Sequence, residues 1–259
     1  MSAPRLLLAA LGLAASTALA GGAPAIEHRT CATHPLQYDL SRPAGWRPGG
    51  RYPVVVVVPD AHRDFRANLQ AFVDARGDGP WLLLAPYVLT SGGASFPREL
   101  FPYDERAWAR ADAGPPFAFD EAGVAAMLAE VRERDGGGPQ AFLTGWEAGG
   151  HTVWALAFNH PGWWKGVAPV SSNYQGRWLA AAPPAAEPRP PLKVFFCGHL
   201  TGDEERGREF WLRQSGEAQE AAVARGFARP PLEVVAGQPH GPLAGAVLAW
   251  FQALLPAAR

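Results

Sequence analysis

Apolar residues fall along this chain in two patterns that take turns. Short unbroken runs at 52–59 (YPVVVVVP), 81–86 (WLLLAP), 141–144, 166–171, 192–198 and 232–236 have the length and β-branched content of strands buried on both faces. Between them, apolar positions recur every three or four residues: Phe65, Leu69, Phe72 and Val73 in 65–76, then Val124, Met127, Leu128 and Val131 in 121–134. Helical patterns also occupy 149–159, 209–224 and 242–255, and Asp120 stands where an N-cap would start the 121–134 helix. Two further strands, 26–34 and 35–41, are expected as an antiparallel pair ahead of the first buried run. Residues 89–119, rich in Gly, Pro and aromatics, read as a long loop of the kind that lines a site. Strands alternating with helices at this spacing predict an α/β fold, with a mostly parallel central sheet and helices on both faces.

Composition narrows the picture. At 259 residues the chain suits a single domain, expected over 21–259. With a formal net charge of −1, neither nucleic acid nor an anionic membrane surface is an expected partner. Residues 1–20 combine a short basic start with an apolar run that ends at Ala18-Leu-Ala20, the small-x-small form of a signal-peptidase site; Ala23-Pro-Ala25 is a second candidate. No Cys follows either site and no twin-Arg pair precedes it, so a soluble secreted or periplasmic protein is expected. Export permits a disulfide between the two cysteines, Cys31 and Cys197. They fall on strands expected several steps apart, at about 4.8 Å per step, which predicts two free, buried thiols.

Residues 142–158 carry the chemistry. A strand run ends at Gly145, and a helical pattern begins at Gly149. The intervening Gly145-Trp146-Glu147-Ala148-Gly149 has the layout Gly-x-Nuc-x-Gly, a strand turning sharply into a helix with a nucleophile at the apex. Side chains at Gly145 and Gly149 would collide with the neighbouring strand and helix. Ser, or less often Cys or Asp, occupies such an apex. Here it is Glu147.

From about Arg29 to Leu255 the chain resembles the α/β-hydrolase superfamily, and within it the secreted esterases and depolymerases (polyhydroxyalkanoate depolymerases, feruloyl esterases). The resemblance rests on LTGWEAGGH at 143–151, ALAFNHP at 155–161 and GVAPVS at 166–171. That branch carries Thr-Gly-x-Ser-Ala-Gly-Gly, Leu-Ala-x-x-x-Pro and Ala-x-Ala-Pro-x-Ser in these places. The resemblance implies an α/β-hydrolase fold, and the shortness of 172–191 leaves no room for a large cap domain. It also implies an acid in the loop after Cys197-Gly198, where Asp203 is the best candidate and Glu204 its rival. The base would be His240, just before the closing helix, with Asp203 accepting from its ring. The oxyanion hole would use the backbone N–H groups of Ala148 and Ala61. In the latter loop Asp60 stands where the branch has glycine, either facing the site or turning outward to cap the next helix. His62, Trp146 and Trp108 are further pocket candidates.

A carboxylate at the apex changes the expected chemistry. Glu147 has no hydroxyl proton to yield, and between Glu147 and Asp203 the His240 ring would be held as imidazolium, a poor base. The helix N-terminus favours an anion by about 0.3–1 kcal/mol, so Glu147 should be ionised and its carboxylate could occupy the oxyanion hole. Three readings follow. The chain is a non-catalytic homologue that binds a small-molecule or polymeric ester-like ligand. Alternatively, Glu147 is a carboxylate nucleophile that acts with His240 and Asp203 on an ester, epoxide or halide. The third is a metal site drawn from Glu147, His240, Asp203 and His62 or Asp60, although no metal-spacing motif supports it and no cofactor is expected. Ser171 or Ser172 as a substitute nucleophile stays open. Trp163, Trp164 and His151 read as packing residues.

Overall fold

Computed as a structural model, the chain is described at residues 25–92, 96–181 and 188–256. The expected signal segment and part of 172–191 lie outside these residues. An antiparallel hairpin, β1 (Ile26–Thr30) and β2 (Gln37–Ser41), leads into β3 (Tyr52–Val58), α1 (Phe65–Ala75) and β4 (Leu82–Pro86). Then follow α2 (Glu105–Asp112), α3 (Pro116–Arg134), β5 (Gly137–Trp146), α4 (Gly150–Asn159), β6 (Trp164–Val170) and β7 (Val194–Cys197). The chain closes with α5 (Gly202–Ala224), β8 (Leu232–Val235) and α6 (Ala244–Ala253).

The strands form one sheet in the order β1-β2-β4-β3-β5-β6-β7-β8. β2 runs antiparallel to both its neighbours, β1 and β4, whereas β4, β3, β5, β6, β7 and β8 are parallel to one another. Every residue from Val54 to Val58 and from Leu82 to Ala85 is buried, so both faces of the centre are covered. On one side Phe251 of α6 meets Phe142 of β5 at 4.6 Å between rings, and α1 packs beside α6. α3 and α4 pack on β5 and β6. Cys31 and Cys197 are free and buried near opposite edges of this sheet, six strand steps or about 29 Å apart.

Three expectations are corrected. The hairpin strands are shorter than 26–34 and 35–41, because residues 31–36 make the connection, closed by Cys31 N–H donating to the Leu36 carbonyl. The loop expected at 89–119 contains α2, and α3 begins at Pro116, whose fixed φ suits a first helical turn. Asp120 is therefore no cap: it is fully buried within α3 and accepts from the N–H groups of Leu89 and Thr90 and from the Thr90 hydroxyl. Finally, α5 starts at Gly202 instead of Glu209, because Thr201 and Glu204 form a capping box.

Candidate functional site

β5 delivers the chain to the apex at its C-terminal end, where substrate crevices form in open α/β sheets. Glu147 there has φ +48°, a left-handed backbone that is costly for a residue with a side chain. A turn over Glu147–Gly149 then feeds α4. The flanking glycines are required by contact. A Cβ on Gly145 would lie 2.8 Å from the Val58 carbonyl oxygen and 2.7 Å from Val153 Cγ2, and one on Gly149 only 2.2 Å from the Pro59 carbonyl oxygen. Asn173 N–H donates to the Glu147 carbonyl at 2.8 Å, which ties the apex to the loop after β6.

The Glu147 side chain leans toward the loop after β3. Its carboxylate lies near the backbone of Ala61, whose N–H is the donor expected for an oxyanion. Burial, and then the neighbouring Asp60 charge, push its carboxyl above the ordinary range, opposing the ionisation that the helix N-terminus favours; His62 and the Ala61 N–H pull the other way. Asp60 is only 4% exposed and turns inward. The N-cap of α1 is Asp64, which accepts from Ala67 N–H, so the outward, helix-capping orientation considered for Asp60 is excluded. One Asp60 oxygen accepts from His62 Nδ1 at 2.8 Å, and the other is buried with no hydrogen-bond partner among the described residues. That hydrogen bond raises the pKa of His62, whose side chain is 85% exposed.

His240 stands after β8, as the sequence suggests, but not in the company expected. Its ring stacks on Trp211 of α5 at 4.6 Å and 18°, with the edge of Trp146 at 4.9 Å. Its Nδ1 is buried without a hydrogen-bond partner among the described residues. Burial depresses its pKa, against smaller opposing effects of Glu204 and Asp60, which disfavours the expected imidazolium. Asp203 does not orient it. Because α5 begins at Gly202, the Asp203 side chain lies in the first helical turn, 88% exposed and paired with Arg206. Glu204 is engaged in the capping box, accepting from Thr201 N–H.

Other expected positions resolve on packing grounds. Ser171 and Ser172 are fully buried and serve as acceptors, Ser171 for Cys197 N–H and Ser172 for the Trp154 indole, both at 3.1 Å. Neither is placed as a nucleophile. Trp108 is no pocket residue: it is buried in α2 among Phe96, Phe101 and Tyr103, with Arg98 over its ring. Trp146 does border the site, held by its indole N–H on Asn68 of α1 at 2.5 Å. Trp211 and Asn68 escaped the sequence reading, since nothing in their local pattern separates them from other helical residues. Beside His240 a depression of about 430 Å³ is lined by Ala71, Gln238, Pro239 and Leu243. Clefts of about 310 and 230 Å³ lie at the other end of β3 and β5, away from the apex.

The strand order, the strained apex on β5 and the loops that converge on it together define the α/β-hydrolase fold. No family model and no curated protein sequence matches the chain. Solved structures do. The poly(3-hydroxybutyrate) depolymerase LpqC from Bordetella parapertussis superposes with a TM-score of 0.59 at 20% identity, over 91% of this chain and 92% of that one. Poly(aspartic acid) hydrolase-1 from a Sphingomonas species gives 0.58 at 14%, over 87% and 97%. A Bacteroides ovatus chain of the dipeptidyl aminopeptidase IV kind gives 0.60 at 16%, covering 90% of this chain but only 36% of its own length. These likenesses establish the fold.

Proposed function

We propose that this chain is an exported α/β-hydrolase-fold protein that lacks serine-type esterase activity and binds a small or polymeric ester-like ligand at the C-terminal ends of its strands. The observation that carries this reading is Glu147 at the strained apex, its part-buried carboxylate beside Asp60, His62 and the Ala61 backbone. In serine hydrolysis the apex hydroxyl passes its proton to histidine as it attacks, and backbone N–H groups receive the oxyanion. A carboxylate has no such proton, and here it crowds the Ala61 backbone where an oxyanion would be received. The position of Asp203 points the same way, in solvent while His240 packs against Trp211. The polymer-hydrolysing neighbours and the short 172–191 segment support an open site for bulky ligands. Export is supported by the small-x-small site after the apolar run in 1–20.

The test is an assay of purified protein on p-nitrophenyl butyrate, with retention on poly(3-hydroxybutyrate) granules measured in parallel. Hydrolysis at the buffer rate together with granule retention is the expected result. Wild-type turnover that disappears in Glu147→Gln overturns the non-catalytic reading. One point favours the carboxylate-nucleophile alternative: burial lowers the His240 pKa, in the direction that suits a general base. Haloalkane or epoxide turnover abolished by Glu147→Gln would establish that second reading.

A further inference from the structure

Asp60, His62 and Glu147 form a donor cluster at the site mouth, and we propose that it binds a divalent transition-metal cation of the zinc or manganese kind. One ligand atom from each residue lies within 4.8 Å of the other two. Ligands held about 2.1 Å from a common ion stand about 3 Å apart when adjacent and about 4.2 Å when opposite. Small side-chain adjustments therefore close the set around an ion. This donor set differs from the one expected from sequence: neither Asp203 nor His240 belongs to it.

A second, independent observation points to a ligand. Asp60 is 4% exposed, and its Oδ1 is buried with no hydrogen-bond partner among the described residues. A buried carboxylate oxygen left unpaired is costly, and a cation is the partner that satisfies it together with the nearby Glu147 carboxylate. Access is open, because His62 presents an 85% exposed side chain at the rim. Orientation is prearranged as well. Glu147 is fixed on the strained apex at φ +48°, which directs its carboxylate to within reach of Asp60 and His62. One imidazole with two carboxylates suits Zn²⁺ or Mn²⁺, whereas Ca²⁺ and Mg²⁺ prefer all-oxygen shells. Three protein donors leave coordination positions for water or an anionic ligand group. The proposal stands whether or not Glu147 supports hydrolysis.

The experiment titrates Zn²⁺ into chelator-stripped full-length protein by calorimetry and follows the melting temperature alongside. One ion per chain is expected, with a rise in melting temperature on saturation. His62→Ala and Glu147→Gln should each weaken binding at least 10-fold, while Asp203→Asn leaves it unchanged. Because the His62 side chain is exposed, its alanine variant is expected to fold normally, which circular dichroism verifies. Wild-type protein that binds no Zn²⁺ at micromolar concentration overturns the proposal. So does stoichiometric binding that survives both His62→Ala and Glu147→Gln.

Discussion

The imidazole of His240 lies nearly parallel to the indole of Trp211, 4.6 Å away at 18°. An aromatic face on α5 thus flanks the ring where a triad would supply a carboxylate. The stack comes from α5 starting at Gly202, which carries Asp203 into solvent and puts Trp211 two turns further along the same helix. Burial by this surround is what lowers the His240 pKa.

Trp211→Ala should therefore move the His240 pKa upward toward the ordinary histidine value near 6.5, because water reaches the ring. The histidine Cε1–H resonance followed by NMR across pH 4–8 measures this. A pKa unchanged by the substitution would mean that the indole does not bury the ring.

Asp203→Asn should be almost silent. The side chain is 88% exposed, and it pairs with an exposed arginine one helical turn away. Surface changes of this kind alter stability by within about 0.5 kcal/mol. Urea denaturation tests it, and a loss of about 2 kcal/mol or more would show a buried role for that carboxylate.

The apex should respond in opposite directions to glycine added and glycine removed. Glu147→Gly relieves a left-handed backbone at φ +48° and should stabilise the fold by about 1 kcal/mol. Gly149→Ala sets a methyl 2.2 Å from the Pro59 carbonyl oxygen, which cannot yield without shifting the loop after β3. A cost of about 3 kcal/mol, or failure to accumulate folded protein, is expected. Thermal melts of both variants against wild type decide the sign.

Stability should also carry a signature of Asp120, whose carboxyl burial pushes up to about 7. In the unfolded chain it ionises near 3.8. Between those values the native state holds the extra proton, so this group's stabilisation is complete below about pH 4 and is lost as pH rises through about 7. His34 and His151, both depressed to about 4 by burial, act in the opposite sense, losing stability as pH falls from 6.5 toward 4. They are shared by wild type and Asp120→Asn. The wild-type-minus-variant difference in urea midpoint between pH 5 and pH 8 therefore isolates Asp120, and it should shrink as pH rises.

Features governed by local pattern were legible in the order of residues. The valine run of β3, the Trp81–Pro86 run that contains β4 and the Gly145 and Gly149 positions each declare a buried strand or a close approach, since periodicity and the lack of a Cβ act within a few residues. The apex, the base-loop position of His240 and the separation of Cys31 from Cys197 followed from those landmarks. The early start of α5 was legible too, in the Thr201-x-x-Glu204 capping box, although charged residues without an apolar stripe concealed it. Only the tertiary structure decided which side chains meet. Asp60 turned inward because Asp64 took the helix cap, Trp211 reached His240 through the phase of a long helix, and Trp108 went into the core with its aromatic neighbours. The physical reason is range: a cap or a turn is settled by neighbours in sequence, whereas the partner of a carboxylate or a ring depends on strands and helices folded against one another. Whether Glu147 faced an acid, a base or another carboxylate was settled at that level, by the loop that carries Asp60 and His62.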